Sequence, residues 1–159
     1  IAAKNSRIKF IIAGEGSLKE KLQSRVLELG IKDKVIFLGW REDVPEIISL
    51  LDVLVLPSLN EAVGMVLLEA GAAGVAVVAT KVGGVPEMVH DNQTGILVPA
   101  LSSSSLAGAI NDLLADPRKR VEMGKAAQAW VQGRFKAEDM AENLSGLYQE
   151  LLKKGSKSG

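Results

Sequence analysis

Pro57-Ser58-Leu59-Asn60-Glu61-Ala62-Val63-Gly64-Met65-Val66-Leu67-Leu68-Glu69-Ala70 is entered by one apolar run, Val53 to Leu56, and left by another, Val75 to Ala79. A polar turn at Ser58 to Asn60 ends the first run, and a helical pattern from about Gly64 to Ala73 precedes the second. The order is strand, loop, helix, strand, and it closes on a loop at Gly83-Gly84. Such a unit sets a helix N-terminus beside the carboxyl end of a strand, where backbone N–H groups lack intrahelical acceptors. Free N–H groups and the positive end of the helix dipole favour anions, phosphate above all. Two carboxylates bracket the place, Glu61 in the loop and Glu69 in the helix. Carboxylates repel phosphate but accept hydrogen bonds from hydroxyls. A ligand that suits both carries phosphate at its middle and hydroxyls on either side, the layout of a nucleoside diphosphate sugar.

Working outward, the flanks repeat the strand and helix alternation. Residues 8–13 form an apolar strand ending at Gly14-Glu15-Gly16, and Val35 to Leu38 form another ending at Gly39. Between them Ser17 and Glu20 have capping-box spacing, with leucines at 18, 22 and 29 on one helical face and Gly30 as the stop. Asp43 with Glu46 is a second capping pair, opening a short helix that buries Ile47, Ile48 and Leu51. After the central unit come a short helix at about 86–90 and a strand at Gly95 to Val98. Only helices follow. Ser102 to Ser105 cap one, Asp116-Pro117 open the next at its first position, and a third runs from about Ala137 to Lys153 with Met140, Leu144, Leu147, Tyr148 and Leu151 on one stripe. Unbroken apolar strands point to a parallel sheet covered on both faces, hence an α/β, Rossmann-like doubly wound sheet with C-terminal helices. In such sheets ligands sit outside the carboxyl ends of the strands, so Gly14, Gly39, the 58–64 loop and Gly83-Gly84 are expected along one edge. The expected domain is single, 1–153, with 154–159 a disordered tail.

Composition narrows the function classes. The chain has 159 residues, 47% hydrophobic and 24% charged, and reads as globular. Its formal net charge is zero, which speaks against nucleic acid as a partner. No apolar run reaches the roughly 18 residues of a spanning helix. There is no cysteine and a single histidine, His90, so thiolate and histidine-rich metal sites are ruled out within this chain. The expected location is cytoplasmic, with a peripheral place at a membrane open for a longer protein.

Glu61 and Glu69, spaced Glu-x7-Glu, stand after Pro57-Ser58 and before Ala70, Gly74, Val77-Val78-Ala79-Thr80, Gly83-Gly84, Glu87 and Gly95-Ile96-Leu97-Val98. This order resembles the C-terminal nucleotide-sugar-binding domain of GT-B retaining glycosyltransferases, family 4 in particular. The resemblance implies that Glu69 holds the ribose hydroxyls, that Val63 and the backbone from Gly64 through Met65 to Val66 meet the diphosphate and donor sugar, and that Glu61 lies nearest the transferred sugar as the catalytic carboxylate. It places the loops after Gly14 and Gly39 against the base. It implies no cofactor and no metal, the helix N-terminus and basic side chains balancing the diphosphate. Ala62 and Val63 depart from the family's Gly or Pro followed by an aromatic. The resemblance also implies that a first strand carrying a basic clamp, and an N-terminal acceptor-binding domain, are missing from this chain. Strands 8–13 and 53–57 would then lack their shared neighbour and would pair directly or through a homodimer. The rivals are a non-catalytic nucleotide-sugar-binding module acting with a partner chain, part of a sugar-nucleotide epimerase, and an α/β domain with a dead site. Residue by residue, plainer accounts compete. Glu61 can serve only as a helix cap. Glu69 sits in a helix apolar on most sides, where a charge needs a partner. Arg41 reads as a surface arginine, Trp40 as packing, His90 as a helix-end residue and Lys81 as solvated.

Overall fold

The computed structural model describes Ile1 and residues 8–155. Its contacts group into two compact units, one ending at Ile47 and one beginning at Ile48. The first holds two parallel strands, β1 (Phe10–Ala13) and β2 (Val35–Gly39), joined through helix α1 (Lys19–Glu28) and a 3-10 turn at Lys32–Lys34. Helix α2 (Val44–Ser49) spans the boundary. The second unit contains β3 (Val53–Leu56), α3 (Met65–Ala72), β4 (Ala76–Thr80), α4 (Val85–Met88), β5 (Ile96–Val98), α5 (Ser103–Ala115), α6 (Pro117–Arg134) and α7 (Ala137–Gly155). Its sheet is parallel with order β3-β4-β5. Elements and order follow the sequence expectation closely. Residues 156–159 of the expected tail lie outside the described residues, and Lys154 and Gly155 belong to α7.

The core of the second unit is built on β4. All five of its residues are buried, as a strand covered on both faces requires. Around it lie Leu67 and Ala70 of α3, Val85 of α4, Ala109, Ile110 and Leu113 of α5, and Met123 and Ala127 of α6. Full burial of each Val or Leu contributes about 1.5–3 kcal/mol. Glycine permits a close approach: a Cβ on Gly124 of α6 would lie 2.0 Å from the Gly74 carbonyl oxygen, so the helix touches the backbone of the α3–β4 turn. Arg120 ties α6 to the start of β3, pairing with Asp52 at 2.8 Å and donating to the Leu113 carbonyl at 3.2 Å. The caps expected at Ser102 and Asp116 form, Ser102 Oγ accepting from the Ser105 N–H and Asp116 Oδ1 from the Lys119 N–H.

Three expectations fail. The strands of the first unit are not covered on both faces, since Ile11 and Ile36 are exposed; a continuous apolar run marks an apolar strand without showing what covers it. β1 has β2 as its ladder partner within the first unit, and β3 has β4 within the second. The Ser17–Glu20 box does not form, because α1 starts one residue later than its spacing demands, with Leu18 at the N-cap and no side-chain cap. Trp40 does not pack; it is 68% exposed. Asp43 turns its carboxylate to Arg41, which donates from Nε at 2.7 Å and Nη2 at 2.5 Å. That hydrogen-bonded pair holds the Asp43 carboxyl below its usual range and raises the Arg41 guanidinium.

Candidate functional site

Proline starts the site. β3 ends at Leu56 because Pro57 has no N–H to donate to a ladder. The chain then loops to Gly64, which stands at the N-cap of α3 with φ 70°, a left-handed conformation that glycine adopts without strain. Gly64 has no side chain with which to cap the helix, and Glu61 does so instead. Its Oε1 accepts from the Gly64 N–H at 3.2 Å and its Oε2 from the Ser58 hydroxyl at 3.2 Å. The Leu67 N–H returns to the Gly64 carbonyl at 2.8 Å, closing the first turn. Glu61 is half-buried, and a carboxylate at a helix N-terminus is favoured by the dipole there. An ionised carboxylate has about four lone-pair positions. Two are taken by the protein and the others are open to hydroxyl donors.

A glycine pair supports this loop from behind. The Gly84 N–H donates to the Glu61 carbonyl at 3.1 Å. A Cβ on Gly83 would lie 1.9 Å from the Glu61 carbonyl oxygen, and one on Gly84 2.2 Å from that of Ala62. Only glycines let the two backbones approach so closely. From the sequence these residues serve as markers of the resemblance; their role as a shelf under Glu61 is not read there, although two glycines just past a strand end are the signal for it.

The other expected site residues fall as follows. Gly64 is buried, Val66 is half-buried, and Val63 and Met65 are 45% and 59% exposed, an apolar rim on either side of Gly64. Glu69 lies one turn into α3 and is exposed, so burial does not compel a partner for it. The helix is apolar where it meets β4 and α6, through Leu67, Ala70 and Gly71, and position 69 faces away from them. In the first unit Gly14 and Gly39 come together, the Gly14 N–H donating to the Gly39 carbonyl at 2.7 Å, both at positive φ. Arg41 and Lys81 are exposed, and the exposed His90 stands just past α4 with its ring 4.1 Å from that of Trp130. Among the described residues no cluster of three or more His, Cys, Asp or Glu side chains is arranged to hold a metal ion, and no helix is long and apolar enough to cross a membrane.

A parallel sheet wrapped by helices, with a capped loop at the carboxyl end of β3, makes the second unit a Rossmann-like α/β module. The chain belongs to the glycosyl transferases group 1 family, whose model matches residues 1–130. It is 32% identical over 145 residues to the N-acetyl-alpha-D-glucosaminyl L-malate synthase of Bacillus anthracis, covering 91% of this chain and 38% of that protein. It is 37% identical over 148 residues to the GDP-mannose-dependent alpha-(1-6)-phosphatidylinositol monomannoside mannosyltransferase of Mycolicibacterium smegmatis, covering 85% of this chain and 39% of that protein. Among solved structures it is similar to Anabaena HepE in complex with UDP-glucose, with a TM-score of 0.82 and 31% identity over 89% of this chain and 42% of that one. The chain thus spans about two-fifths of the length of the relatives it matches.

Proposed function

We propose that this chain is the donor-binding part of a retaining, GT-B family 4 type glycosyltransferase, taking a nucleoside diphosphate sugar. The observation that carries the reading is the Glu61 carboxylate held on the N–H of Gly64 at the start of α3. It puts hydroxyl-accepting oxygens beside the first-turn N–H groups of an eight-residue helix, where a diphosphate is favoured. In this reading the N–H groups of Met65 and Val66 meet the diphosphate, and the exposed Glu69 accepts from the ribose hydroxyls. Glu61 accepts from the hydroxyls of the transferred sugar and supports positive charge at its anomeric carbon as the diphosphate leaves. The helix N-terminus takes up the charge of the leaving group, so the reading calls for no metal or cofactor. The solved HepE complex contains UDP-glucose, which supports a donor of this class. The acceptor is held by residues outside this sequence, and the chain alone binds donor without transferring sugar.

The experiment is calorimetry of the chain and two variants against UDP, GDP and ADP and their sugar conjugates. Glu69→Ala should weaken nucleoside diphosphate and conjugate alike, since the ribose is common to both. One charge-assisted hydrogen bond is worth about 1.5–3 kcal/mol, or roughly 10- to 150-fold in affinity. Glu61→Ala should spare the nucleoside diphosphate and weaken only the conjugate. Absence of heat with every ligand at millimolar concentration, or equal losses in both variants on both ligands, would refute the assignment.

A further inference from the structure

Thr80 is a buried polar residue at the carboxyl end of β4, 4% exposed, in a strand otherwise made of alanine and valine. A hydroxyl at such a position costs free energy unless it is hydrogen-bonded. Its backbone belongs to the β5 side, where Thr80 stands opposite Val98 and the next N–H, of Lys81, donates to the Val98 carbonyl at 2.8 Å. On the β3 side the ladder has already ended at the pair Leu56–Ala79, because Pro57 cannot continue it. There the side chain takes over. Thr80 Oγ1 donates to the Ser58 carbonyl at 2.5 Å, with the Leu56 carbonyl a distant second at 3.4 Å. Ser58 in turn donates its hydroxyl to Glu61 Oε2 at 3.2 Å, and Glu61 Oε1 accepts from Gly64.

We infer that Thr80 is a positioning residue for the Glu61 carboxylate, acting through Ser58. Its hydroxyl extends the β3–β4 pairing by one side-chain bond into the loop. Without it the Ser58 carbonyl loses its donor and the Ser58 hydroxyl is no longer aimed at Glu61. Glu61 Oε2 then loses its donor, and the carboxylate is held at the N-terminus of α3 by the Gly64 N–H alone. The glycine shelf holds only the backbone of Glu61, through the Gly84 N–H, so it cannot replace this hold on the side chain.

The test compares Thr80→Val, which removes the hydroxyl, with Thr80→Ser, which keeps it. Two readouts are taken on the 159-residue chain. The first is amide hydrogen exchange at Gly64, which the Glu61 carboxylate protects. It should speed up in Thr80→Val, with the amides of β5 unchanged, and return to its original rate in Thr80→Ser. The second rests on the donor-site reading above: the ratio of affinities for UDP-glucose over UDP, or GDP-mannose over GDP if the unaltered chain prefers guanine. Losing one neutral hydrogen bond should lower that ratio by about two- to tenfold in Thr80→Val and leave it intact in Thr80→Ser. Unchanged Gly64 exchange in Thr80→Val, failure of Thr80→Ser to restore it, or an equal loss on nucleoside diphosphate and conjugate would each overturn the inference. If the unaltered chain binds no nucleotide, the donor-site reading falls and the inference is decided by exchange alone.

Discussion

Replacing Gly83 by alanine separates two costs that are usually confounded. Gly74 and Gly83 both lie in the second unit and both have positive φ, 71° and 49°. At Gly74 a Cβ finds room, its nearest neighbour being Gln128 Nε2 at 3.8 Å. Gly74→Ala should therefore cost only the left-handed backbone, about 1–2 kcal/mol. At Gly83 the same strain is joined by a contact of 1.9 Å to the Glu61 carbonyl oxygen and 3.0 Å to its carbon. The neighbour is backbone, so no rotamer change relieves it, and the chains must part by more than an ångström. The bond from the Gly84 N–H to that carbonyl, 3.1 Å long, is lost with the movement, at about 1 kcal/mol. Overpacking of a tight site adds about 1–3 kcal/mol. Gly83→Ala should be less stable than Gly74→Ala by about 2–4 kcal/mol in urea unfolding followed by circular dichroism, and its Gly64 amide should exchange faster. Equal stabilities for the two variants, with Gly64 exchange unmoved, would refute the claim that the glycine pair is pressed against Glu61.

Two more outcomes are expected. In helix interiors alanine is better than glycine by about 1 kcal/mol, so Gly108→Ala inside α5, with nothing within 4 Å of the new Cβ, should be neutral or stabilising, whereas Gly124→Ala should destabilise by pushing α6 off the Gly74 carbonyl; thermal unfolding of the pair decides it. The Asp43 carboxyl should titrate below the ordinary aspartate value of about 3.9, seen by NMR, and move back towards it in Arg41→Gln. Because the folded state depresses this group, its support is present above that ordinary value and is lost as pH falls through the depressed one, and added salt should weaken the pair at any pH.

Much of the second unit was legible because its signals are local. β4 is a continuous apolar run and is buried throughout, while Ser102 and Asp116 sit one residue ahead of helices they cap. The sequence leaves Glu61 open as either a cap or a ligand group; in the structure it caps, each carboxylate oxygen accepting one bond. What was not legible depends on chain neighbours far away in sequence. Thr80 reaches back 22 residues to Ser58, and nothing at position 80 itself announces that partner. Glu69 was expected to need a partner from the apolar letters around it, but α3 meets the core along Leu67, Ala70 and Gly71, which leaves position 69 in water. Trp40 and the Ser17–Glu20 spacing misled for a related reason. Residue type and spacing state what a side chain can do, and the surrounding backbone decides which of those things it does.

The two tryptophans of this chain fall one in each compact unit. Trp40 stands largely in water, while Trp130 has its indole Nε1 buried without an acceptor among the described residues. The Trp130 ring also lies against His90, Phe135 and the Arg134 guanidinium, 5.0 Å from its centroid. An indole in water emits to the red of one shielded from it, and an adjacent imidazole can quench emission. The molecule therefore carries a built-in pair of optical labels of different colour and brightness, one for each unit. A fluorescence spectrum can follow the loosening of either unit in a single unlabelled sample.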